Sequence, residues 1–134
     1  MSRSGYSDDL SSWDLIMYRG AVSSAIRGKR GQTLLRDLAV ALDAMEPRRL
    51  ITDELESQGE YCALGVVGGY REINMQGLDF DDSDRVAKSF NIANALAQEI
   101  VFINDEAYWQ AGTETPEQRW YRVRAWVDEQ LITE

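Results

Sequence analysis

Apolar residues recur along this chain at the three- and four-residue spacing of helices, with no sustained alternation of the strand type. Trp13, Ile16, Met17, Gly20 and Ala21 mark one face of a first helix, which is expected to be buried. Ser11 or Ser12 can cap that helix, and Asp14 stands in its first turn, where the macrodipole favours an acid. It ends near Gly28, in the link Arg27-Gly28-Lys29-Arg30-Gly31, which reads as flexible and exposed. Leu34, Leu35, Leu38, Ala41, Leu42 and Met45 then trace a continuous stripe over three turns of a second helix. Two helices joined by a short glycine-containing link predict an antiparallel hairpin with the basic link at its tip.

Pro47 stops the second helix and can open a short third one around Leu50 to Leu55, before Gln58-Gly59. Tyr61 to Val67 suits either a buried strand or a buried helix. With no second strand evident to satisfy its backbone, a short helix ending at Gly68-Gly69 is favoured. Asn74 to Ser83 reads as loop, and Ser83 as the cap of a helix carrying Val86, Ala87, Phe90, Ala93, Leu96, Ala97, Ile100, Val101 and Ile103. Asn104-Asp105-Glu106 ends it. Thr115-Pro116-Glu117-Gln118 combines a cap, a first-turn proline and a glutamine three residues after the cap, and Trp120, Val123, Val127 and Leu131 form the stripe that follows. The expectation is all-α: a mobile lead-in over 1–10, then one compact domain over 11–134 with five or six helices and the hairpin at its N-terminal side.

Composition narrows the function more than the fold. No apolar run approaches the roughly 20 residues of a membrane span, and the first residues lack the apolar stretch of a signal peptide. A cytoplasmic protein without membrane contact is expected. Cys62 is the one cysteine, set among apolar neighbours as a small core residue, so no disulfide or cysteine-rich metal site is expected. Histidine is absent, which removes the commonest general base. There is also no phosphate-binding glycine loop, nucleophile elbow or metal-ligand spacing, so the chain is not expected to be an enzyme or to need a cofactor.

The net charge of −9 hides a segregation. Between Arg19 and Arg49 seven cations face only Asp37, Asp43 and Glu46, whereas from Leu50 to Gln118 fourteen acids face only Arg71, Arg85 and Lys88. Such a molecule carries two surfaces that can steer different partners. The candidate partner-binding residues are Arg19, Arg27, Lys29, Arg30 and Arg36, which could grip phosphates, RNA or an acidic protein patch. The alternative is an acidic face at Asp79, Asp81, Asp82 and Asp84, extended by Asp53, Glu54, Glu56 and Glu60, able to imitate nucleic-acid phosphates. Calcium is not expected in that acidic knot, because the EF-hand ligand spacing is not met.

Val86 to Ile100 resembles a helix-turn-helix by position: Ala87 in the first helix, Phe90 before the turn, Asn91 at it, Ile92 after it, then Ala97 and Ile100 on the inner face. Its outer face would present Asn94, Ala95, Gln98 and Glu99, where Asn94 and Gln98 could read adenine but no cation lies between Lys88 and Arg119. Tyr108 and Trp109 either seal the core or serve as exposed anchors.

Taken with Trp13-Asp14-Leu15-Ile16, Arg19-Gly20-Ala21, Ala25 to Gln32 and Glu114 to Trp120, the whole chain resembles a group of small bacterial and prophage proteins. No activity is attached to that group, so the resemblance supplies a context and no site residues. The expected function is that of a non-enzymatic, phage- or mobile-element-encoded interaction protein that blocks or modulates a host nucleic-acid-handling complex. A defence-system inhibitor such as an anti-CRISPR protein would be one example. The alternative is a nucleic-acid-binding regulator using the basic tip or the helix-turn-helix-like hairpin.

Overall fold

The computed structural model describes residues 12–106 and 113–132. Ser12 is the first residue of the first helix, and the lead-in, Ser11 and the pair Tyr108-Trp109 lie outside the described residues. Six helices and one minimal hairpin follow in order among them: α1 (Ser12–Arg27), α2 (Lys29–Asp43), β1 (Glu56–Ser57), β2 (Glu60–Tyr61), α3 (Ala63–Tyr70), α4 (Ser83–Phe90), α5 (Asn94–Asp105) and α6 (Pro116–Gln130). The fold is all-α, as the periodicity predicts.

The α2 stripe forms the middle of the core. Leu34, Leu35, Leu38 and Leu42 are fully enclosed, and α2 packs chiefly on α3 along one side and on α6 along another. Trp120 of α6 is buried against it and donates its indole Nε1–H to the Leu42 carbonyl at 3.1 Å. That bond satisfies the one polar atom of a large buried ring. The Arg48 guanidinium lies 4.7 Å above the same ring. α6 starts with the capping box its sequence announces: the Gln118 amide N–H donates to Thr115 Oγ1, and the Thr115 N–H to Gln118 Oε1.

Besides the one helix expected from Ser83 to Ile103, which left-handed Asn91 breaks into α4 and α5, two expectations need correction. The first concerns α1, whose buried face is not Trp13, Ile16, Met17, Gly20 and Ala21; all five are exposed. Val22 and Ile26 are buried instead, with Tyr18 and Ala25 partly so, and α1 packs more extensively on α5 than on α2. A single residue, Gly28, separates α1 from α2, and the two helices also pack on one another. The second concerns Leu50 to Leu55, which is not helical. There the Leu50 N–H donates to the Pro116 carbonyl and the Ile51 N–H to the Tyr61 carbonyl, so neighbouring segments satisfy the backbone that a helix would have satisfied internally. Gln58 and Gly59, both at positive φ, close the two-residue turn of the β1–β2 hairpin, the geometry that matches strand twist.

Tyr61 to Val67 resolves as the favoured helix, although α3 starts at Ala63 and continues through both glycines to Tyr70. The expected cap Ser83 gives way to Asp82, whose carboxylate accepts from the Arg85 N–H. Asn104, nine-tenths or more buried, joins three elements: its amide donates to the Ile51 carbonyl at 2.9 Å and accepts from the Ala63 N–H at 3.0 Å.

Candidate functional site

The basic end is built around the α1–α2 break. Gly28 is extended (φ −69°, ψ 164°), and Lys29, Arg30 and Gly31 already belong to the first turn of α2. The segment is therefore a tight corner, not the flexible link its glycines suggest. Gly31 is what allows it: a Cβ there would stand 1.9 Å from the Ala25 carbonyl oxygen. Gln32 locks the corner from inside, donating its side-chain amide to the carbonyls of Ile26 (2.8 Å) and Gln130 (3.0 Å) and accepting from the Ile132 N–H (2.9 Å). Ends of α1, α2 and α6 are thereby tied by one buried side chain.

Arg30 reaches from this corner to Asn91, donating to its Oδ1 at 3.4 Å. Asn91 adopts the left-handed conformation (φ 56°) that ends α4, so the basic corner rests on the α4–α5 turn. Lys88 stands in the last turn of α4, three residues before that contact. Arg27, Lys29 and Arg30 are all exposed at this corner; Arg27 turns back to Ser23, while Lys29 and Arg30 line a separate cleft with Ala93. Arg19 lies two turns back on α1, on the wall of a cleft of about 520 Å³ that Arg27, Glu99, Trp126 and Glu129 also line. Arg36 is exposed two turns along α2.

Five arginines elsewhere are held by carboxylates, whereas Arg48 donates to the Asp43 backbone carbonyl and, like Arg85, makes no ion pair among the described residues. Arg49 pairs with Glu60, Arg71 with Asp37, Arg119 and Arg122 with the buried Glu114, and Arg124 with Asp43 and Asp128. Arg71 also donates to the Phe90 carbonyl at 2.7 Å, joining α4 to the α2–α3 pair. The Arg124–Asp43 contact is a two-bond fork, and it holds the Asp43 carboxyl below the usual aspartate range while raising Arg124 further. Among the described residues Arg19, Arg27, Lys29, Arg30 and Arg36 make no ion pair; Arg27 bonds only to Ser23 on its own helix, and Arg30 to neutral Asn91.

The helix-turn-helix resemblance holds at the bend and fails at the reading face. Ala87, Phe90, Ile92, Ala97 and Ile100 are all buried, as that pattern requires. Asn94 and Gln98, however, are half-buried and both donate to Ser83 Oγ, and Asn94 also donates to Asp84. α5 is flanked by α1, α3, α4 and α6, so its polar side chains serve the hairpin's own packing.

The four aspartates of the acidic loop are exposed. Asp79 accepts from the Asp81 N–H, and Asp82 and Asp84 stand at the start of α4, where a helix N-terminus favours acids. No group of three or more metal-ligating side chains converges among the described residues. Glu54 and Glu56 share a cleft of about 500 Å³ with Ile73, Met75, Leu78 and Phe80, which sets the loop beside the acids before β1. Cys62 is buried, and its sulfur accepts from the Gly65 N–H at the start of α3.

One surface escapes sequence reasoning: the first half of α1, where Trp13, Ile16 and Met17 are 67%, 62% and 57% exposed. Their spacing is legible, but periodicity alone assigns such a stripe to the core. Comparison with protein-family models, curated proteins and solved structures finds no match to the chain.

Proposed function

We propose that this is a non-enzymatic interaction protein that engages an anionic partner through the corner formed by Arg27, Lys29 and Arg30. The observation that carries the reading is the division among its cations. Carboxylates hold the arginines that join elements, while the corner cations are exposed on a tight break and make no ion pair among the described residues, although Glu99 and Glu129 line the cleft beside Arg19 and Arg27. Surface ion pairs stabilise little, so stability does not explain cations being gathered at one corner. The tight corner fixes the backbone from which these side chains reach phosphate or carboxylate groups.

The partner class that fits is a host protein or nucleoprotein complex that handles nucleic acid, blocked or modulated by a phage- or mobile-element-encoded protein, with a defence-system inhibitor such as an anti-CRISPR protein as one form. Acid-rich faces on the rest of the molecule support a partner that is not bare nucleic acid, since they repel phosphate away from the corner. The second reading, direct nucleic-acid binding, keeps the same corner, with Lys88 beside it.

Titration of duplex DNA and single-stranded RNA at several salt concentrations separates the two. Protein-directed binding predicts little association with either polymer. Direct phosphate contact predicts binding that weakens steeply with salt, by a log–log slope of roughly −0.9 per contacted phosphate. Replacing Arg27, Lys29 and Arg30 with glutamate would abolish that binding.

A further inference from the structure

We infer that the cleft between the segment entering β1 and the loop over 73–80 is a docking groove for a basic peptide segment of a partner protein, one that inserts an apolar side chain and flanks it with lysine or arginine. The cleft encloses about 500 Å³. Leu55, Ile73, Met75, Leu78 and Phe80 supply its apolar lining, and Glu54 and Glu56 its charge. Except for Leu55, these apolar side chains pack against the core and are only partly buried. A recess of this size has room for a phenylalanine or leucine side chain.

The walls are set by the fold itself. Met75 lies over Gly68 of α3, where an added Cβ would stand 2.6 Å from its sulfur. The Ile73 N–H donates to the Gly68 carbonyl at 2.9 Å and the Leu78 N–H to the Met75 carbonyl at 3.2 Å. The Gln76 N–H donates to Asn74 Oδ1 at 3.0 Å. On the other wall the Leu55 carbonyl accepts from the Cys62 N–H, and Glu54 and Glu56 on either side of Leu55 are exposed. An apolar wall tied down in this way lowers the ordering cost of binding.

Charge selects the occupant. No lysine or arginine lines the cleft, whereas its lining segments are bordered by acids: Asp53 before Glu54, Glu72 before Ile73, and Asp79 and Asp81 on either side of Phe80. All four bordering acids are exposed. The nearest cation along the chain, Arg71, is held by Asp37 at 2.7 Å and by the Phe90 carbonyl, and Arg85 lies on α4, outside the lining. The lining and bordering carboxylates therefore repel one another and any anionic ligand, and a basic segment relieves that repulsion. The apolar wall in turn suits a side chain and not a bare ion. This groove is independent of the basic corner, whose partner has the opposite charge.

Fluorescence anisotropy of labelled synthetic peptides with the full chain tests it. The probe carries a phenylalanine and a leucine flanked at each end by two lysines. One control replaces the lysines with glutamate, and the other replaces the phenylalanine and leucine with serine. The probe should bind saturably, the glutamate control should not bind, and the serine control should bind at least about tenfold more weakly. Glu54→Lys combined with Glu56→Lys should weaken the probe by about tenfold or more with unchanged melting, since both sites are exposed. Replacing Arg27, Lys29 and Arg30 with glutamate should leave the probe bound, which separates the groove from the corner. In an NMR titration the largest amide shifts should fall at Glu54, Glu56 and residues 73–80, a readout that needs no variant. Absence of saturable binding overturns the inference. So does equal binding of the serine control, which would reduce the effect to bulk charge, or amide shifts centred elsewhere on the molecule.

Discussion

Individual side chains hold the corner and the joints of this fold, and each makes a measurable claim. Gly31 is the sharpest. Alanine there improves helix propensity by up to about 1 kcal/mol but drives a Cβ into the Ala25 carbonyl at 1.9 Å, so the α1–α2 break must open. Gly31→Ala should lower stability by about 1–3 kcal/mol in urea denaturation, whereas Gly20→Ala, with open space around it, should be neutral or slightly stabilising. Asn104→Leu should cost about 2 kcal/mol or more, because it leaves the Ile51 carbonyl and the Ala63 N–H without their partner in a buried joint. Asp43 carries a pH signature. Its carboxyl is held low, chiefly by the hydrogen bond from Arg124, so the pair stabilises the fold above the ordinary aspartate range. That contribution is lost as pH falls through the lowered value. Asp43 is half-exposed, so the effect is under about 1 kcal/mol; the gap in melting temperature between the parent and Asp43→Asn should close on acidification.

Elements were legible in proportion to how much of their logic is local. The α6 capping box and the α2 stripe depend on residues within a few positions of one another, and both appear as the sequence implies. Thr115→Ala should accordingly cost about 1 kcal/mol, and Leu38→Asp or Trp120→Asp should unfold the protein, each read by thermal melting. Where burial depends on distant partners the pattern misleads. α1 carries helical spacing on both Trp13–Ile16–Met17–Gly20 and Tyr18–Val22–Ala25, and only the approach of α5 decides which faces inward. Leu50 and Leu55 are buried as a helical stripe would have them, but the Leu50 and Ile51 N–H groups donate to the Pro116 and Tyr61 carbonyls and the Leu55 carbonyl accepts from the Cys62 N–H, which holds the segment out of a helix. The bend at Asn91 follows its resemblance, yet the engagement of Asn94 and Gln98 by Ser83 is a matter of packing that spacing does not reveal.

At the scale of the whole molecule, folding brings together charged segments that lie far apart in the chain, pairing Arg49 with Glu60 and Arg71 with Asp37. Arg30 and Asn91 lie 61 residues apart, and no local signal announces that the basic corner sits on the α4–α5 turn. The acids before β1 and the loop at Phe80 likewise become neighbours only through folding. The account's central claim is that the corner is the contact surface. Quantitative affinity capture from a lysate of the organism that makes the protein tests it most directly, comparing the parent with two charge-reversed variants. One replaces Arg27, Lys29 and Arg30 with glutamate, and the other replaces Asp79, Asp81 and Asp82 with lysine; all six sites are exposed, so both should keep the parent's melting temperature. The account predicts that the basic-corner variant loses the parent's partner while the acidic-loop variant retains it. Full capture by the first together with loss by the second would contradict it and assign binding to the anionic face.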